Sequence, residues 1–121
     1  HPTHLMFNDE LRRKTFEFSL NLILFLRLIP ESQESSIIKK QLIRSASSVA
    51  ANFRASCVSR SQAEWYSKIC IVLEEADETR YWLQLMNELY PLNSQPITKH
   101  LELIENIIKI IGKVRGKVRV K

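Results

Sequence analysis

From Ser61 to Tyr90 the chain contains neither glycine nor proline, and this stretch limits the folds open to it more than any other. It opens on Ser61-Gln-Ala-Glu64, a capping-box pattern in which the serine satisfies an early backbone N–H and the glutamate reaches back to the cap. Helix can therefore run without a breaker until Pro91, roughly 45 Å at 1.5 Å per residue. Trp65, Ile69, Val72, Ala76, Leu83 and Met86 form one apolar stripe along it. Tyr66, Cys70, Leu73, Tyr81 and Leu85 form a second beside the first. Two stripes on one helix require packing on more than one neighbour, or on another subunit.

The segment before Ser61 predicts a partner helix. Leu42, Ala46, Val49 and Phe53 repeat at helical spacing, among the small residues Ser45, Ser47, Ser48, Ala50 and Ala51. Small side chains let a neighbouring helix approach closely. A break near Ser56–Arg60 then lets the two helices fold back on each other. An antiparallel hairpin turning at Val58–Ser59 sets Arg44 near Glu74, Arg54 near Glu64, and Lys40 near Asp77 or Glu78.

Two flanking helices complete the pattern. Asn8 is a candidate cap for the first, with Asp9 and Glu10 at the positive end of its dipole. Phe7, Leu11, Phe18, Leu22, Phe25, Leu26 and Ile29 follow at helical spacing until Pro30. Pro30–Ser35 is a polar connector, with Ser35 or Ser36 as cap of the second helix. Pro91–Pro96 is the last connector; Asn93 or Ser94 caps the final helix and Pro96 fits its first turn. That helix carries Ile97, Leu101, Ile104, Ile108 and Ile111 on one stripe, and Leu103, Ile107, Ile110 and Val114 on another. Gly112 is expected to end it. The fold predicted is all-α, an up-down four-helix bundle over residues 7–112 that oligomerises through helix faces. Residues 1–6 read as a tag remnant or disordered end, and 113–121 as a basic, extended tail. The second stripes of the third and fourth helices are assigned to a subunit interface, so a charge at Ile107 is expected to break assembly.

Charge is distributed unevenly. The formal net charge is +5, and Lys113, Arg115, Lys117, Arg119 and Lys121 account for all of it, leaving residues 1–112 net neutral. On the second helix Lys40, Arg44 and Arg54 fall within an arc of ~80° at 100° per residue. These eight cations are the candidate nucleic-acid-binding residues. Arg12-Arg13-Lys14 reads as a solvated face.

Several chemistries have no motif here. There is no glycine-rich phosphate loop, no Cys-x-x-Cys and no His-Glu-x-x-His. No histidine follows a glutamate by three residues, as di-iron bundles require. Cys57 and Cys70 have no motif spacing and suit idle thiols of a reducing cytoplasm. The longest apolar run, Leu22–Leu26, is far short of a membrane span. No enzyme activity, metal or cofactor is expected.

The segments RSASSVAANFRA and SRSQAEWYSKICIVLEEADETRYWL resemble the bacterial four helix bundle proteins. These include proteins encoded in intervening sequences of large-subunit ribosomal RNA genes and, more distantly, the accessory protein of diversity-generating retroelements. The matching positions are Arg44, Ser45, Ala46, Asn52, Arg54, Ala55, Arg60, Ser61, Glu64, Lys68, Glu74, Glu75, Asp77, Glu78 and Trp82, dense over Gln41–Leu89. Many relatives carry Asn-Ile-Ala-Glu-Gly before the loop; this chain has Asn52-Phe-Arg-Ala-Ser56, with no glycine. The resemblance implies an up-down bundle assembled as a ring-like homopentamer without enzymatic activity. Two function classes remain. One is an oligomeric scaffold binding RNA or DNA without base-specific readout, alongside a nucleic-acid enzyme such as a reverse transcriptase. The other is a protein–protein interaction module with no nucleic-acid role.

Overall fold

A computed structural model describes residues 2–117 and contains four long helices. They are α1 (Pro2–Leu26), α2 (Gln33–Ser56), α3 (Gln62–Leu89) and α4 (Ser94–Gly116), with a short 3-10 turn, Pro91–Asn93, leading into α4. Each helix packs on the two beside it: α2 on α1 and α3, α4 on α3 and α1. The seam between α2 and α3 is the most extensive and that between α1 and α4 the lightest. The bundle is all-α and up-down. Its topology brings the C-termini of α2 and α4 to the same end as the N-termini of α1 and α3.

The inward faces follow the apolar spacing. Leu22, Leu42, Val49, Ile69, Val72, Leu83, Met86, Ile97 and Ile104 are all buried in one continuous core. Ser45 and Ala46 are buried where α2 meets α3, and the Thr79 hydroxyl donates to Ser45 Oγ at 2.8 Å across that seam. Small residues on α2 thus permit the close approach their size suggests.

Helix ends depart from expectation at four places. α1 begins at Pro2 and passes through Asn8, which caps nothing; proline is accepted in a first turn because its missing N–H would be unsatisfied there anyway. α2 is capped by Ser32, one turn before the serines proposed. Ser32 Oγ accepts from the Ser35 N–H at 3.1 Å, and Ser35 Oγ accepts from the Ser32 N–H at 2.8 Å. Ser35 is therefore the reciprocal partner of the cap. Asn93 precedes α4 without a side-chain capping bond, because the 3-10 turn feeds straight into the helix.

The fourth departure concerns the tail. α4 continues through Gly112 to Gly116, so the first basic residues of the tail are helical and not extended. A helical glycine costs only about 0.5–1 kcal/mol relative to alanine. Buried Ile111 and half-buried Val114 and Arg115 hold the following turn on the bundle. Ile107 also differs from expectation. It is 1% exposed within a single chain and belongs to the core, whereas Leu103 on the same stripe is exposed and Ile110 and Val114 are half-buried.

Candidate functional site

The hairpin of α2 and α3 positions the first group of cations. Arg44 lies between two carboxylates of α3. Its Nη1 donates to Glu75 Oε2 at 3.0 Å, its Nη2 to Glu78 Oε2, and its Nε to Gln41 Oε1 at 3.1 Å. The Glu78 hydrogen bond pushes the guanidinium above its ordinary value, against a smaller opposing effect of desolvation. Arg44 was expected beside Glu74. The register instead turns half-buried Glu75 and Glu78 toward α2 and leaves Glu74 exposed on the outer face.

Glu78 is also the acceptor of the Trp82 indole N–H at 3.1 Å. That bond, followed by the one from Arg44, holds its carboxyl below the usual carboxylate range. A depressed carboxyl stabilises the fold above its unfolded value, about 4.3. This stabilisation is lost as pH falls through the folded value. Trp82→Phe removes the donor. Its deficit in melting temperature relative to wild type is therefore expected to be larger at pH 7 than at a pH below the folded carboxyl value of Glu78, where both proteins carry it protonated. An equal deficit at both pH values would show that the indole only packs.

The other two expected hairpin pairs do not form. Glu64 accepts from the backbone N–H of Arg60 at 3.1 Å and from its Nε at 3.4 Å, and the backbone bond first of all lowers its carboxyl value. The box motif is half as predicted, with Ser61 Oγ accepting from the Glu64 N–H at 3.0 Å. Glu64 reaches back one residue further than the cap, since a local ring closes with less loss of freedom than a bond to the facing helix. Asp77 goes to Arg80 at 2.6 Å, again locally, and Glu78 is taken by Arg44. Lys40 and Arg54 are exposed and have no ion pair among the described residues.

Lys113 on α4 and Lys117 just after its end are exposed, while Arg115 is half-buried with Nη1 3.9 Å from Cys70 Sγ on α3. Arg119 and Lys121 lie outside the described residues. The up-down topology brings Arg54, at the end of α2, to the end of the bundle where Lys113 and Lys117 close α4. Arg60, in the turn between α2 and α3, joins them there. Lys40 sits toward the opposite end, and Arg44 at the middle of the hairpin. The alternation of helix direction alone places Arg54 toward the same end as Lys113 and Lys117, on the helix diagonally across the bundle from α4. At this end α1 contributes Arg12 and Arg13, paired within their own helix to Asp9 and Glu17.

Cations on rigid helix ends can neutralise an anionic polymer, but they present no fixed fork or aromatic platform toward a base. Cys57 and Cys70 are free thiols, and burial pushes the Cys57 thiol up. Among the described residues no three His, Cys, Asp or Glu side chains gather closely enough to hold a metal ion. No described helix is long and apolar enough to cross a membrane.

Residues 8–113 match the family described as 23S rRNA-intervening sequence protein. The chain is also similar to a crystal structure from Bacteroides thetaiotaomicron, described as a protein of unknown function from the S23 ribosomal protein family. The two share 26% identity and superpose with a TM-score of 0.79, over 88% of this chain and 98% of that one. No curated protein matches the sequence.

Proposed function

The chain belongs to the 23S rRNA-intervening sequence protein family, and on that premise we propose that it is a non-catalytic, homo-oligomeric scaffold that binds RNA or DNA. The contacts are to phosphate and sugar, made by basic residues without readout of base edges. What supports this is that Arg54, Lys113 and Lys117 lie toward one end of the bundle, on or next to the diagonally placed helices α2 and α4, and that Arg119 and Lys121 follow in the sequence. Lys40 adds a weaker contact along α2, and Arg44 serves the hairpin in place of phosphate.

The assembly is a homo-oligomer, a ring of five as the resemblance implies. Its support is the apolar edge left exposed by Tyr81 and Leu89 on α3 and by Leu92 in the following turn. Five subunits would bring five basic ends onto one strand and raise avidity without any new contact. A nucleic-acid enzyme acting on that strand, such as a reverse transcriptase, is the protein partner this arrangement accommodates, in the cytoplasm.

Competition tests this function. Unrelated RNA and DNA sequences of equal length should displace a labelled strand with equal potency at low salt. A strong preference for one sequence would contradict phosphate-only contact. Failure to bind either polymer would leave the protein–protein interaction module, which the exposed apolar edge also suits.

A further inference from the structure

Between α1 and α2 runs a groove of ≈ 420 Å³, within the range of about 300–1,000 Å³ spanned by small-molecule sites. Phe16, Leu20 and Ile23 wall it on the α1 side, and the short side chains of Ala50 and Ala51 leave it open on the α2 side. Phe16 is 59% and Leu20 45% exposed, so the fold leaves much of their apolar surface to an occupant. From Arg12 to Ile23 the lining runs roughly 16 Å along α1 at 1.5 Å per residue.

Charge gathers at one end of this groove. α1 and α2 are antiparallel neighbours, so Arg12, early in α1, and Arg54, near the end of α2, line the same end of it. Among the described residues no acidic side chain lines the groove. Arg12 donates to Asp9, whereas Arg54 is exposed and has no ion pair among the described residues. Away from that end little is available to meet a polar ligand. The hydroxyls are those of Ser19 and Ser47, and the buried Ser19 hydroxyl already donates to the Thr15 and Phe16 carbonyls, at 3.3 and 3.0 Å. A nucleobase placed there would leave most of its polar edge unpaired, a desolvation cost that a hydrocarbon avoids.

We propose that the groove binds a linear aliphatic carboxylate, with its head between Arg12 and Arg54 and its chain along Phe16, Leu20 and Ile23. Guanidinium and carboxylate match in charge and in planar, two-pronged hydrogen bonding. A chain of about ten carbons, joined by C–C bonds of ~1.5 Å, reaches roughly 12 Å and so covers most of the lined length. One charged head and one apolar chain meet both parts of the site with no further polar contact.

Titration calorimetry on the full chain with decanoate tests this, with no nucleic acid present, so the outcome is independent of the function proposed above. One decanoate per chain should bind saturably below the concentration at which it forms micelles. Decanol, equal in chain and lacking the charge, should bind more than about tenfold more weakly. Arg54→Glu changes an exposed position; it should keep the wild-type melting curve and lower decanoate affinity more than about tenfold. Ala51→Trp, also at an exposed position, should fill the groove and abolish binding. Wild-type protein that takes up decanoate only as micelles, or not at all, would overturn the proposal. So would decanol bound as tightly as decanoate, or either variant binding decanoate as wild type does. Adenosine monophosphate bound more tightly than decanoate would overturn it too, and give the groove to a nucleotide.

Discussion

Ile107→Glu is expected to unfold the subunit and not to part folded subunits. Ile107 is 1% exposed in the isolated chain and packs within the common core. An uncompensated charge at such a site costs about 3–5 kcal/mol. Whole-domain stability is about 5–15 kcal/mol. Lys14 lies along the same cleft between α1 and α4 and can offset only part of that cost. The melting temperature should fall by about 10–20 °C, or the transition should vanish. Circular dichroism and light scattering on one sample decide the matter. A well-folded monomer with an unchanged melting curve would place Ile107 at a subunit interface after all.

The second large effect concerns the basic end. Neutralising Lys113, Lys117, Arg119 and Lys121 together, each to Gln, is expected to lower affinity for RNA and DNA about a hundredfold at moderate salt, because contacts to phosphate dominate such binding. The loss should be uniform across sequences, as expected for phosphate contacts. Substitution is preferable to truncation after Gly112, which would remove the last turn of α4 and with it half-buried Val114 and Arg115. Arg115 is left unchanged because it packs beside Cys70. If the variant binds as well as wild type, the contact lies elsewhere on the bundle, with Lys40 and Arg54 the first positions to replace.

The helix count, the up-down order and most of the core were legible because glycine, proline and apolar spacing mark them directly. Leu42, Val49, Ile69, Val72, Leu83 and Ile104 are buried as their spacing requires. Helix ends were read less well. Ser32 and Ser35 form a reciprocal pair in a run rich in serine, where several cap positions look alike until the backbone is placed. Charge partners were read least well. Periodicity sets which side chains share a face, but the rotation of α3 about its axis decided between Glu74 and Glu75 for Arg44. Local bonds then outcompeted long-range ones at Glu64 and Asp77. Ile107, on the second stripe of α4, was misassigned for a related reason. A helix flanked by two neighbours buries a broad arc, so apolar breadth alone does not separate core from interface.

The most direct test of a phosphate-binding scaffold is the salt dependence of binding by the full chain to mixed-sequence RNA and matched DNA. Fluorescence anisotropy across a salt series should show both polymers bound at low salt. The logarithm of the association constant should fall linearly with the logarithm of salt, by about 0.7–0.9 per phosphate neutralised. No binding to either polymer at low salt, or affinity that does not change with salt, would contradict it.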